Sequence, residues 1–93
     1  MVIKFLRHKG LRALYETGRT AGVQASHVRK LRMQLTALDS AQVVGDVDIP
    51  GFQLHELRGD RNDQWAISVN GHRRVTFEFR DGNAFVLDYE DYH

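Results

Sequence analysis

Two hydrophobic periods divide the chain. In its first half apolar residues recur at three- and four-residue steps: Leu11, Leu14 and Tyr15 form one group, and Val28, Leu31, Leu35 and Leu38 form a second. That spacing gathers each group on one face of a helix. The first helix is short and can close on Gly18, a residue suited to the left-handed conformation that ends helices. In the second, Arg29, Lys30 and Arg32 lie beside or opposite the apolar stripe and give the helix a basic outer face. Residues 2–5 ahead of both predict a short strand. Between residues 39 and 51 the period lapses, and Gly45, Pro50 and Gly51 with Asp46 and Asp48 mark a connecting loop.

After Gly51 the period becomes two. Phe52 and Leu54 alternate with Gln53 and His55, Trp65, Ile67 and Val69 with Ala66 and Ser68, and Val75, Phe77 and Phe79 with Arg74, Thr76 and Glu78. Phe85, Leu87 and Tyr89 supply the inward phase of a last strand. Asn70-Gly71 and Asp81-Gly82 are hairpin signals, because such pairs accept the positive φ that tight turns between twisted strands demand. The expected layout is α+β: a short N-terminal strand, two helices, then a four-strand antiparallel meander with the helices on one sheet face and the other face open.

Composition narrows this picture. The 93 residues suit one domain spanning 1–93, large enough for one core. There is no cysteine, hence no disulfide framework, thiolate metal site or cysteine nucleophile. No segment has the apolar length of a membrane span or a signal peptide, and a cytoplasmic location is expected. The net charge of +1 hides an asymmetry: residues 1–32 carry eight Lys or Arg against one acidic residue, Glu16, whereas residues 51–93 carry five Arg against eight Asp or Glu. A basic N-terminal third can track phosphates, or simply be a solvated helix face.

Strand phase then selects candidate chemistry. His55, Arg74 and Tyr92 are out of phase with the buried set and should project from the open face, so that three strands bring polar groups to one surface. Asp91 and His93 share the buried phase of Phe85, Leu87 and Tyr89, and Arg58 that of Phe52 and Leu54, so these three join only where strand ends depart from regular geometry. Each residue also has an ordinary structural reading, as an edge histidine, a cross-strand partner of an acid, or a cap on the core rim. His8, His27 and His72 are expected to face solvent. No two histidines have the spacing of a helix or strand ligand pair, so neither metal nor other cofactor is expected.

His55-Glu56-Leu57-Arg58-Gly59, Trp65-Ala66-Ile67-Ser68-Val69-Asn70-Gly71, Arg74-Val75-Thr76-Phe77 and Asp88-Tyr89-Glu90-Asp91-Tyr92-His93 stand in that order along the chain. With His8-Lys9-Gly10-Leu11 and Asp48-Ile49-Pro50-Gly51, they make the whole chain resemble the HigB branch of the RelE toxin superfamily. The resemblance implies a RelE-like fold and a bacterial toxin that enters the ribosomal A site and cuts messenger RNA without a metal, the ribose 2′-OH attacking the adjacent phosphate. It implies the ribosome and mRNA as partners, together with a HigA-like helix-turn-helix antitoxin through which alone operator DNA would be contacted.

The family's strand histidine falls on His55, its basic residue on Arg58, its sheet arginine on Arg74 and its terminal group on Asp91, Tyr92 and His93. An imidazole is the side chain whose intrinsic pKa lies near neutrality, so His55 and His93 are expected to transfer protons. Arg58 and Arg74 would hold the phosphate, Tyr92 would stack on a base or orient the ribose, and Asp91 would tune a neighbour. Where the family often has lysine this chain has Arg58, which stabilises charge but cannot act as a base. Arg73 replaces the family's aromatic residue and is counted with Arg29, Lys30 and Arg32 as a candidate RNA or ribosome contact. A noncatalytic toxin of the same fold and a basic adaptor for nucleic acid or the ribosome are the alternatives.

Overall fold

The computed structural model describes residues 3–61 and 63–91. Helix α1 (Lys9–Thr17) begins where His8 Nδ1 accepts the Leu11 N–H at 3.1 Å, capping a backbone donor that the first turn leaves unpaired. It ends at Gly18, whose φ of 75° lets its N–H turn back to the Leu14 carbonyl at 3.1 Å. Helix α2 (Val28–Ser40) follows a 3₁₀ turn over Ala25–His27 and buries Leu31, Leu35 and Leu38. Each fully buried leucine contributes roughly 1.5–3 kcal/mol of hydrophobic stabilisation. Gln34, wholly buried within that stripe, donates Nε2 to the Ser68 carbonyl at 2.7 Å and so fastens the helix to the sheet.

Four antiparallel strands lie in chain order: β1 (His55–Glu56), β2 (Gln64–Ser68), β3 (Arg73–Arg80) and β4 (Asn83–Asp91). Ile67, Val75, Phe77, Leu87 and Tyr89 face the leucines of α1 and α2 and complete one core. Both predicted hairpins form. Asp81 and Gly82 have φ of 51° and 78°, the positive pair required by a two-residue turn between twisted strands. Asn70 closes the other by accepting the N–H groups of His72 and Arg73 on its Oδ1, at 2.9 and 3.1 Å.

Four details differ from the sequence expectation. The N-terminal segment forms only isolated parallel bridges, Ile3 to Ala84 and Leu6 to Leu87, along the outer edge of β4. It still covers that edge, since Lys4 N–H donates to Ala84 O and Arg7 N–H to Leu87 O. Phe52 and Leu54 precede β1 instead of belonging to it, because Gln53 takes a φ of 53° and interrupts the extended run.

The third difference is in β4. Val86 has a φ of 56°, and the ladder slips between Thr76 and Glu78 so that one extra residue of β4 is accommodated. Ala84 therefore takes the inner position, and Phe85, opposite Glu78, turns to the other face beneath Arg80, whose guanidinium carbon lies 4.4 Å from the ring centroid. Finally, His27 does not face solvent: it is 3% exposed and is bonded on both ring nitrogens.

Candidate functional site

Directly opposed residues in a sheet share a face, and the register identifies the occupants of the outer one. His55 pairs with Ala66, Ala66 with Thr76 and Thr76 with Asp88; in the next row Ser68 pairs with Arg74 and Arg74 with Glu90. His55 and Arg74 thus share the side away from the helices, as their phase requires. Two strand spacings, about 10 Å, separate them across the sheet.

That face is narrower than the alternation alone suggests. Ala66 and Thr76 on it are buried. Arg61, in the 3₁₀ turn Gly59–Arg61, reaches across and forks onto Glu90, with Nη1 to Oε1 at 2.9 Å and Nη2 to Oε2 at 2.7 Å. Its Nε also donates to Gln64 Oε1 at 3.0 Å, and Thr76 Oγ1 donates to Glu90 Oε2 at 2.5 Å. The hydrogen bonds from Arg61 hold the Glu90 carboxyl below the usual carboxylate range; burial opposes this, and Thr76 and the charge of Arg74 reinforce it. The same pairing raises the pKa of Arg61. Neither Arg61 nor Glu90 was among the sequence candidates. The strand phase of Glu90, shared with Arg74, was a usable signal; the reach of Arg61 from an irregular turn was not.

His55 lines an open hollow of about 490 Å³ together with Glu56, Leu57, Arg58 and Gly59. Its Nδ1 lies 2.9 Å from the Gln53 carbonyl. A carbonyl oxygen only accepts, so Nδ1 carries the proton and the Nε2 of the neutral ring bears the lone pair. The left-handed turn at Gln53 that ended the expected strand therefore also orients its histidine. Arg58 follows β1 by two residues and is exposed in the same hollow.

The other candidates lie elsewhere. Asp91 is on the helix side of β4, opposite Arg73, with Oδ1 2.7 Å from Arg73 Nε. Arg73 is part-buried, its guanidinium 4.7 Å from the Tyr89 ring centroid, so it packs on the protein instead of reaching outward. On α2, Lys30 Nζ donates to the Gly51 carbonyl at 3.0 Å and Arg32 Nη2 to the Gly18 carbonyl at 3.4 Å, whereas Arg29 is exposed. Tyr92 and His93 lie outside the described residues. Among the described residues no cluster of three or more His, Cys, Asp or Glu side chains is placed to hold a metal ion, and no helix is long and apolar enough to cross a membrane.

Two helices on one face of this sheet are the architecture of a crystal structure of a copper-bound mutant toxin from Helicobacter pylori. The two match with a TM-score of 0.56 over 99% of this chain and 94% of that one, at 13% identity, a likeness of fold. Sequence makes the kinship narrower. The family model for the RelE-like toxin of the type II toxin-antitoxin system HigB matches residues 4–93. The chain is also 44% identical over 92 residues to Endoribonuclease HigB of Proteus vulgaris, covering 99% of this chain and all of that protein. The chain belongs to the HigB family of RelE-like toxins, and membership of a type II toxin-antitoxin family implies an antitoxin partner.

Proposed function

We propose that this protein is a ribosome-dependent endoribonuclease that cuts messenger RNA in the A site and so arrests translation. The observation that carries the reading is the 44% identity, over 99% of this chain and all of the relative, to a protein named as an endoribonuclease. The shared face of His55 and Arg74 supports it, since it offers an imidazole and a cation to one phosphodiester.

In the proposed reaction the 2′-OH of the ribose attacks the adjacent phosphorus, the P–O5′ bond breaks, and a 2′,3′-cyclic phosphate and a 5′-OH are left. One proton leaves the 2′-oxygen and one reaches the 5′-oxygen, so an acid and a base suffice and no metal is invoked. The Nδ1–H tautomer of His55 supports its use as base through Nε2. His93, in its protonated form, gives the complementary proton to the leaving 5′-oxygen, and the roles exchange if the substrate sits the other way round. Arg74 and Arg58 carry the charge of the phosphorane-like transition state through planar donors, and Tyr92 stacks on a base or orients the ribose. Asp91 acts through Arg73, with which it is paired, at the end of β4. Arg29, Lys30 and Arg32 supply sequence-independent attraction to the ribosome in the cytoplasm. The antitoxin would be a HigA-like helix-turn-helix protein that brings the pair to operator DNA.

Cleavage of a translated message on programmed ribosomes tests the reading. His55→Ala, Arg74→Ala and a chain lacking His93 should each cut about 10²–10⁴-fold more slowly, with products from the parent ending in cyclic or 3′ phosphate. Near-normal cutting by all three would sink the assignment, and equal cutting of free RNA would remove the ribosome from it.

A further inference from the structure

His27 is a buried titratable group for which the proposed chemistry has no use. It ends the 3₁₀ turn Ala25–His27 and stands at the N-cap of α2, with its ring edge-on to Tyr89 at 5.9 Å between centroids. Nδ1 is 2.5 Å from Tyr89 Oη, and Nε2 is 2.6 Å from Asn70 Nδ2.

The partners fix the protonation state. Asn70 Oδ1 accepts the N–H groups of His72 and Arg73, which orients the amide so that Nδ2 is the atom facing His27. An amide nitrogen donates, hence Nε2 must accept and carry no proton. Nδ1 then bears the hydrogen and donates to Tyr89 Oη. A proton added to Nε2 would set two donors against each other beside a ring that is itself 3% exposed.

The nearby positive charge acts in the same direction. Arg73 stacks on Tyr89 from β3, and the positive end of α2 lies at His27 itself. Asp91, on β4, is paired with Arg73, and His8 packs edge-on against Tyr89 from the start of α1, with 5.2 Å between centroids. Burial, then the charge of Arg73, lowers the pKa of His27.

Asn70 belongs to the β2–β3 hairpin, His27 to the entry of α2 and Tyr89 to β4, so one imidazole joins three elements at the end of the sheet where β4 runs out. We propose that His27 is a positioning residue: as a neutral link between Asn70 and Tyr89 it locks the end of β4 in place, and its protonation releases that end and slows the toxin. The inference rests on the nuclease reading only in its second part, because β4 leads into the terminal candidates Tyr92 and His93.

Histidine ¹⁵N NMR on the whole chain tests the lock without any assay of activity. At neutral pH His27 should be the Nδ1–H tautomer, and on acidification it should titrate together with shifts in the amides of Asn70, Tyr89 and Asp91. A protonated Nε2 at neutral pH, or titration without those shifts, would overturn it. For the second part, Tyr89→Phe removes only Oη, and His27→Gln keeps an acceptor toward Asn70 but replaces the titratable ring with an amide that cannot gain a proton. Each should slow single-turnover cleavage on ribosomes about tenfold with ribosome affinity within about twofold. Their effects should not multiply in the double variant, and His27→Gln should lack the step that His27 adds to the acid limb of the parent. Lowered melting temperatures with an unchanged pH profile would make His27 a structural residue and overturn the positioning role. An inactive parent would fail the nuclease reading while the tautomer and the amide shifts still decided the lock.

Discussion

Glu90 illustrates how one side chain sets a property of the face it stands on. Three of its hydrogen bonds come from Arg61 and Thr76, all to the ionised form. Its folded pKa lies below the unfolded value of about 4.3, so its stabilisation is fully present above that value. It is lost as pH falls from there through the depressed one. Arg61 is 36% exposed, which screens the pair, and Glu90→Gln should cost about 1 kcal/mol at neutral pH. Urea unfolding from pH 7 to pH 3 should show a shallower acid decline for the variant. His27 obeys the same sign for a different reason. Its contribution is present above the ordinary imidazole value of about 6.5 and fades as pH drops toward its own lower value. The His27 contribution therefore begins to fade at a higher pH than that of Glu90, and His27→Gln should flatten the acid limb from about pH 6.5 downward.

Among the elements, α1 and the loop after it meet backbone to backbone. A Cβ on Gly10 would lie 2.1 Å from the Gly22 carbonyl oxygen, so Gly10→Ala must push the loop away and should cost about 1–3 kcal/mol. Gly18 has open space around it, and Gly18→Ala should cost about 1 kcal/mol through its φ of 75° alone. Chemical denaturation of both variants would separate steric from conformational need. Helices α1 and α2 were legible in the sequence because each has a repeated apolar stripe, and both tight turns because their residue pairs have few other uses. The short β1 was not, since a single left-handed residue, Gln53, overrode the alternation on either side of it. The same limit applied to His27. Its helical position predicted exposure, and only contacts 43 and 62 residues away along the chain make it buried.

At the level of the whole molecule, the basic N-terminal third and the His55–Arg74 face belong to different sides of the domain. The structure gives Lys30 and Arg32 internal partners, so of the three α2 cations Arg29 is the best isolated probe of electrostatic attraction. Arg29→Ala should leave stability within about 0.5 kcal/mol. It should reduce the slope of log affinity for ribosomes against log salt by about one if Arg29 meets a phosphate. Ribosome binding at several salt concentrations would measure it. His55 and Arg74 were legible as a pair because strand phase survives at both positions, whereas Arg61 entered the same face from an irregular turn that no period describes.

Val86 links these scales in a way that bears on heredity. The parity of β4 reverses at this residue: Ala84 points inward before it, and Leu87 and Tyr89 do so after it. An in-frame loss of this one codon would leave Phe85 outward and Leu87 inward in plain alternation, so both halves of the strand would keep their faces and only the bulge would disappear. A gene of this kind carries one residue of slack in the length of β4, and it can shed that residue at Val86 without turning over any side chain of the candidate site.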